Sequence, residues 1–187
     1  MPAISKSRIA ILATDGFEQS ELEVPLSKLR QAGAAVDVVS LETGEITGWE
    51  KKDWGSAIRV DRTLDEANPS DYDALVLPGG QINPDVLRAE ESAIAFIKAF
   101  DRAGKPIAAI CHAPWLLIEA GLVKGRRATS YHPIRTDMIN AGARWEDSET
   151  VRDGNLVTAR KPDDLAAFVD AVIEAVEDAG SRLSAAE

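Results

Sequence analysis

Residues 105–118, Lys-Pro-Ile-Ala-Ala-Ile-Cys-His-Ala-Pro-Trp-Leu-Leu-Ile, constrain what this chain can fold into more than any other stretch. An apolar run closes abruptly on Cys111-His112, and a proline-led helical pattern opens at Pro114. This predicts a parallel strand that turns sharply into a helix and holds a side chain at the strand's carboxyl end, where open α/β sheets place their chemistry. Cys111 is the only cysteine among the 187 residues. Two readings compete for it, a nucleophile or a small buried hydrophobe.

The rest of the chain supplies the sheet for that strand. Arg8–Thr14 is a short continuous apolar run, suited to a strand buried on both faces, and Asp15-Gly16 closes it. Leu22, Pro25, Leu26 and Leu29 then recur at helical spacing from Ser20 to Ala32, Gly33 marks the helix end, and Ala35–Ser40 reads as the second strand. Strand-helix-strand units of this kind build parallel sheets with right-handed crossovers. Residues 41–63, with Trp49, Lys51-Lys52, Trp54 and the alternating 57–61, read instead as an antiparallel hairpin excursion, whose two tryptophans suit a subunit contact or packing against the parent domain. A third strand, Asp73–Leu77, exits through Pro78-Gly79-Gly80, where the backbone is free to adopt positive φ and approach a ligand. Next comes one helix predicted over 84–103, and Gly104 ends it. Beyond the helix from Pro114 to about Ala120, residues 128–131 read as a short strand leading into His132-Pro133 and a helical turn through Ile139. Ala143–Val151 and Leu156–Ala159 flank the Asp153-Gly154 turn, and a final helix runs from about Pro162 to Ala179.

Length fits one domain, with an ordered core of about residues 7–180 and frayed ends at Met1–Ser7 and Ser181–Glu187. With 21 basic and 31 acidic residues the formal charge is −10, and no basic cluster exceeds Arg126-Arg127, which argues against nucleic acid or anionic membrane as partner. No apolar stretch approaches the ~20 residues of a membrane span. The start of the chain lacks a secretory pattern and a lone cysteine excludes an internal disulfide, so the expected compartment is the reducing cytoplasm.

Several side chains fall on the same sheet edge as Cys111. A working thiol needs its thiolate favoured by a helix N-terminus, a cation or a hydrogen-bond donor. His112 follows it directly; neighbours at an elbow point in different directions, so its imidazole need not touch its own thiol, and it serves either as substrate orienter and general base or as a histidine tied to a nearby carbonyl. His132, the only other histidine, sits at a strand exit on that edge. Glu18 and Glu21 lie just past the first strand. Most glutamates are solvated surface charges, yet one kept protonated by burial beside a thiolate donates a hydrogen bond to it. Gly79 and Gly80 are candidates for an oxyanion-binding N–H, paired with that of His112. One cysteine and two histidines without compact spacing give no metal site.

Taken together, six pieces carry a resemblance that covers nearly the whole chain: 14–21 (Thr-Asp-Gly-Phe-Glu-Gln-Ser-Glu), 73–80 (Asp-Ala-Leu-Val-Leu-Pro-Gly-Gly), 83–85 (Asn-Pro-Asp), 104–112 (Gly-Lys-Pro-Ile-Ala-Ala-Ile-Cys-His), 136–142 (Thr-Asp-Met-Ile-Asn-Ala-Gly) and 161–165 (Lys-Pro-Asp-Asp-Leu). The chain resembles the PfpI-type proteins of the superfamily that includes the Parkinsonism-associated protein deglycase and, more distantly, class I glutamine amidotransferases. The resemblance implies a flavodoxin-like three-layer α/β sandwich with a mostly parallel sheet, a cysteine at a strained nucleophile elbow and a homodimer or higher homo-oligomer. It implies that Cys111 is the nucleophile, Glu21 the protonated acid on its sulfur, and Gly80 with the His112 backbone the oxyanion site. In the PfpI branch the histidine beside the nucleophile meets an acid from a neighbouring subunit, and Asp85 is the nearest match for that acid. Two features depart from the pattern: Ala113 stands where many relatives have glycine, and His132-Pro133 resembles the deglycase branch.

The activity implied needs no cofactor. It is a glyoxalase- or deglycase-type conversion of methylglyoxal, glyoxal or glycated adducts in stress protection. An intracellular cysteine peptidase, a redox sensor and a holdase are the alternatives. Glutamine amidotransfer is disfavoured, because the late part of the chain has no His-x-Glu pair.

Overall fold

A computed structural model of the protein describes residues 4–184. Its order is β1 (Arg8–Leu12), α1 (Gln19–Gln31), β2 (Ala35–Ser40), β3 (Glu45–Glu50), β4 (Asp53–Arg59), β5 (Arg62–Thr63), β6 (Ala74–Leu77), α2 (Ile82–Leu87), α3 (Glu91–Arg102), β7 (Ile107–Ile110), α4 (Pro114–Glu119), β8 (Arg127–Ala128), α5 (Arg135–Asn140), β9 (Arg144–Trp145), β10 (Thr150–Asp153), β11 (Leu156–Ala159) and α6 (Leu165–Ser184). Seven strands form one sheet in the order β10-β11-β7-β6-β1-β2-β5. All pairs in it are parallel except β10 with β11, which hairpin across Gly154 as Asp153-Gly154 predicts.

Alternation along the central strands divides the core into two layers. Ile9 and Ile11 of β1, with Ala108 and Ile110 of β7, pack on Leu22 and Leu29 of α1 and Phe168 and Val172 of α6. On the other face Ala10, Leu12, Ile107 and Ala109 meet Ile97 and Phe100 of α3 and Leu116 and Leu117 of α4. The result is the expected flavodoxin-like sandwich. Chain order along the sheet reverses between β6 and β1, so the loops leaving these two strands flank a switch-point crevice, with the β7 exit next to it.

Several local expectations are corrected. The helix predicted over 84–103 is two, α2 and α3, because Glu90 is extended (φ −95°, ψ 111°) and the amides of Arg88, Ala89 and Glu90 fold back onto Pro84, Val86 and Leu87 carbonyls. Val86, on α2, is 40% exposed and takes no part in the α3 core. The strand predicted over 128–131 shrinks to β8, which pairs with β9 in a separate small sheet. Its continuation is diverted, since Thr129 N–H donates to the Thr158 hydroxyl and Tyr131 N–H to the Cys111 carbonyl. His132 therefore leaves no strand of the main sheet; it opens a 3-10 turn.

Within 41–63, β3 and β4 form the expected hairpin, with Trp49 and Trp54 edge to face at 5.5 Å, and β5 returns to pair with β2. Ile4–Lys6 form a 3-10 turn with Ile4 buried, and α6 continues to Ser184. Of the ends predicted to fray, Met1–Ala3 and Ala185–Glu187 lie outside the described residues. No helix among the described residues is long and apolar enough to cross a membrane.

Candidate active site

Cys111 occupies the first position beyond β7 with φ +65°, a left-handed conformation that disfavours any residue with a Cβ by about 1–2 kcal/mol. The β7 ladder ends in a Cys111 N–H donated to the Ala159 carbonyl, and α4 starts three residues later at Pro114. Strand, sharp turn and helix follow within five residues. The thiol is thereby lifted out of the sheet toward the loops after β1 and β6.

Glu21 reaches the same place from the first turn of α1. It is fully buried, and its Oε2 accepts the Gly79 N–H at 2.8 Å. Oε1 is buried with no hydrogen-bond partner of its own among the described residues, and the Cys111 thiol faces this carboxyl. Burial pushes the Glu21 carboxyl up to about 8, against the pull of the Gly79 N–H. It is accordingly protonated at neutral pH and can donate to sulfur. Burial also raises the Cys111 thiol, as does negative charge on Glu21, whereas the N–H groups of Gly80 and His112 favour the thiolate. Burial thus favours the protonated form of both groups, and the two titrate as one coupled pair.

The glycine pair makes this approach sterically feasible. A Cβ on Gly79 would lie 2.6 Å from Glu21 Oε2 and 2.8 Å from Cys111 Cβ. Gly80, at φ +78°, could carry one only by meeting the Gly16 carbonyl at 2.5 Å. Because Gly79 N–H is committed to Glu21, the N–H free for sulfur or a developing oxyanion is that of Gly80, opposite His112 N–H.

His112 is half-buried, and its Nδ1 lies 3.3 Å from Cys111 Sγ, so imidazole and thiol do touch. Burial lowers its pKa and keeps the ring neutral. The other sequence candidates are placed apart. His132 is exposed and packs edge-on against Trp145 at 6.3 Å. Glu18 is half-buried at the start of α1; its N–H donates to the Gly79 carbonyl, and burial, then the Glu50 charge, raise its carboxyl. Asp85 is exposed on α2 and ion-paired with Arg88 of its own chain.

Residues missed by the sequence reading hold the site together. Asn83, fully buried, accepts Thr14 N–H through Oδ1 and donates through Nδ2 to the Pro78 and Gly79 carbonyls. It thereby ties the β1 exit to the glycine loop. The Asn-Pro pair after two glycines was its only sequence signal. Trp115 and Tyr131 flank the His112 ring, each centroid 5.1 Å away. An open groove of about 600 Å³ between α1 and β4, lined by Leu26, Arg30 and Ile58, contains none of these groups.

The DJ-1/PfpI family model matches residues 7–175. The chain belongs to the DJ-1/PfpI family. Among the relatives of this DJ-1/PfpI chain is a deglycase of Thermococcus kodakarensis, 46% identical over 87% of this chain and 95% of the relative. The protein/nucleic acid deglycase 2 of Escherichia coli is 43% identical over 86% of this chain and 92% of its own length. Among solved structures, DJ-1beta of Drosophila melanogaster superposes with a TM-score of 0.81 at 28% identity, covering 95% of this chain and 97% of that one.

Proposed function

We propose that this protein is a cofactor-independent cysteine enzyme of the deglycase and glyoxalase type, acting on small reactive carbonyls or their glycation adducts. The observation that carries this reading is the Cys111 sulfur at a left-handed elbow between a protonated carboxyl, two backbone N–H groups and a neutral imidazole. Deglycase-named relatives over nearly the full length support it.

In the proposed path for methylglyoxal, the Cys111 thiolate forms a C–S bond to the aldehyde carbon. The carbonyl oxygen takes up negative charge between the N–H groups of Gly80 and His112 and is then protonated, giving a hemithioacetal. His112 removes the proton from that carbon and returns it to the neighbouring carbonyl carbon through an enediolate, which leaves a thioester. Water cleaves the C–S bond, and lactate and the free thiol result. Glu21 keeps its proton throughout and stabilises the thiolate as it forms and departs. His132 and Glu18 stand outside this path as groups for binding the remainder of a larger adduct.

The chain works as a homodimer or larger homo-oligomer in the cytoplasm, with Asp85 of one copy reaching His112 of the next. Turnover of methylglyoxal and glyoxal by wild type and Cys111→Ala tests the reading. Hydroxy acid from wild type alone supports it, and none from either protein overturns it.

A further inference from the structure

The tryptophan beside His112 is held more firmly than its position requires. Trp115 lies on the short α4 and is only half-buried. Yet the Arg88 guanidinium, from the end of α2, sits 4.5 Å above its ring, and its Nε1–H donates to Asp137 Oδ2 of α5 at 2.9 Å. Two other elements thus converge on the α4 indole, whose ring contacts the imidazole. A half-exposed tryptophan without such ties can change rotamer and uncover its neighbour.

We propose that Asp137 and Arg88 are positioning residues that lock Trp115 against His112 and so hold Nδ1 on the Cys111 sulfur. This rests on Cys111 and His112 being the reactive pair. The groups facing His112 within the chain are the Cys111 thiol with Glu21 behind it, the Tyr131 ring, and Trp115, beyond which lie Arg88 with its partner Asp85, and Asp137; in the proposed oligomer Asp85 of the neighbouring copy faces it too, equally in wild type and variants. Burial, not charge, is what lowers the His112 pKa, so freeing the indole lets it climb back toward the ordinary 6.5.

The test is an NMR titration of His112 in the full chain, assigned with a His132→Gln variant, alongside iodoacetamide alkylation of Cys111 against pH and methylglyoxal turnover. Asp137→Ala should raise the His112 pKa by about half a unit and move the pH dependence of alkylation with it. Turnover should lose roughly tenfold in kcat at nearly unchanged KM. Asp137→Asn, which keeps an acceptor for the indole N–H, should restore wild-type behaviour. Trp115→Phe, which lacks that N–H, should match Asp137→Ala, and the double variant should add nothing further. An unshifted titration in Asp137→Ala overturns the lock, as does an Asn variant as defective as the Ala variant, which would point to the charge instead. Should Asp137→Ala fail to fold, Trp115→Phe carries the same comparison. Wild type without turnover, but with the predicted shifts, removes the proposed function and leaves the lock standing.

Discussion

The two ends of the sheet treat a carboxylate in opposite ways. At the amino end, Asp37 of β2 takes Arg8 through Nε at 3.1 Å and a second nitrogen at 2.7 Å, the Tyr72 hydroxyl at 2.9 Å and Arg62 at 3.4 Å. Close by, Lys105 donates to the Pro69, Ser70 and Tyr72 carbonyls, clipping the turn before β6 to the start of β7. At the carboxyl end, Glu21 accepts one backbone N–H from Gly79 and, among the described residues, has no counter-ion and one oxygen without a partner of its own, beside a cysteine in a strained conformation. The first arrangement stabilises the fold. The second costs stability and holds a proton and a thiol in a state that water would not allow.

Substitution at both ends should break that contrast cleanly. Replacing Glu21 by Gln should lower Cys111 alkylation and carbonyl turnover about a hundredfold, read in the same samples, while far-UV circular dichroism stays native. The same variant reports the proton. A carboxyl whose folded pKa is raised to about 8 binds its proton more readily folded than unfolded, so its contribution is full below the ordinary 4.5 and is lost as pH rises toward 8. Denaturant unfolding should therefore show wild type losing about 5 kcal/mol relative to Glu21→Gln across that window, with no further divergence above it. A constant difference with pH would mean the carboxyl is ionised in the fold.

At the other end the expected effects are smaller and confined to stability. Asp37→Ala leaves two guanidiniums and a phenol without their acceptor and should cost about 2 kcal/mol, since both arginines are partly exposed and water screens them. Lys105→Met, which strips the carbonyls of their donor, should cost about 1–2 kcal/mol in urea unfolding. Both should leave the specific rate of the folded protein within twofold. A tenfold loss of rate in either would erase the distinction between the ends.

Much of this arrangement was readable before any coordinates. β1, β6 and β7 are buried on both faces, so they had to be short apolar runs, and the Cys111 elbow and the Gly79-Gly80 exit announce themselves through abrupt changes of residue type. Glu21 stood out from its helix only through the family resemblance, because burial of one glutamate among several is a tertiary fact. The break between α2 and α3, the diversion of the chain after β8 and the pairing of β5 depend on amide partners distant in sequence, and no local pattern encodes those. Asn83 and Trp115 were missed for the same reason. Their roles come from bonds between residues 69 and 22 positions apart.

The most direct test follows the sulfur itself. Wild type mixed with methylglyoxal, quenched in acid at intervals and analysed by intact-protein and peptide mass spectrometry, should show one substrate adduct on Cys111. That adduct should form and decay in step with lactate release, and it should be absent from Cys111→Ala. An adduct that accumulates without lactate, or lactate formed equally well by the Cys111→Ala variant, would contradict the account.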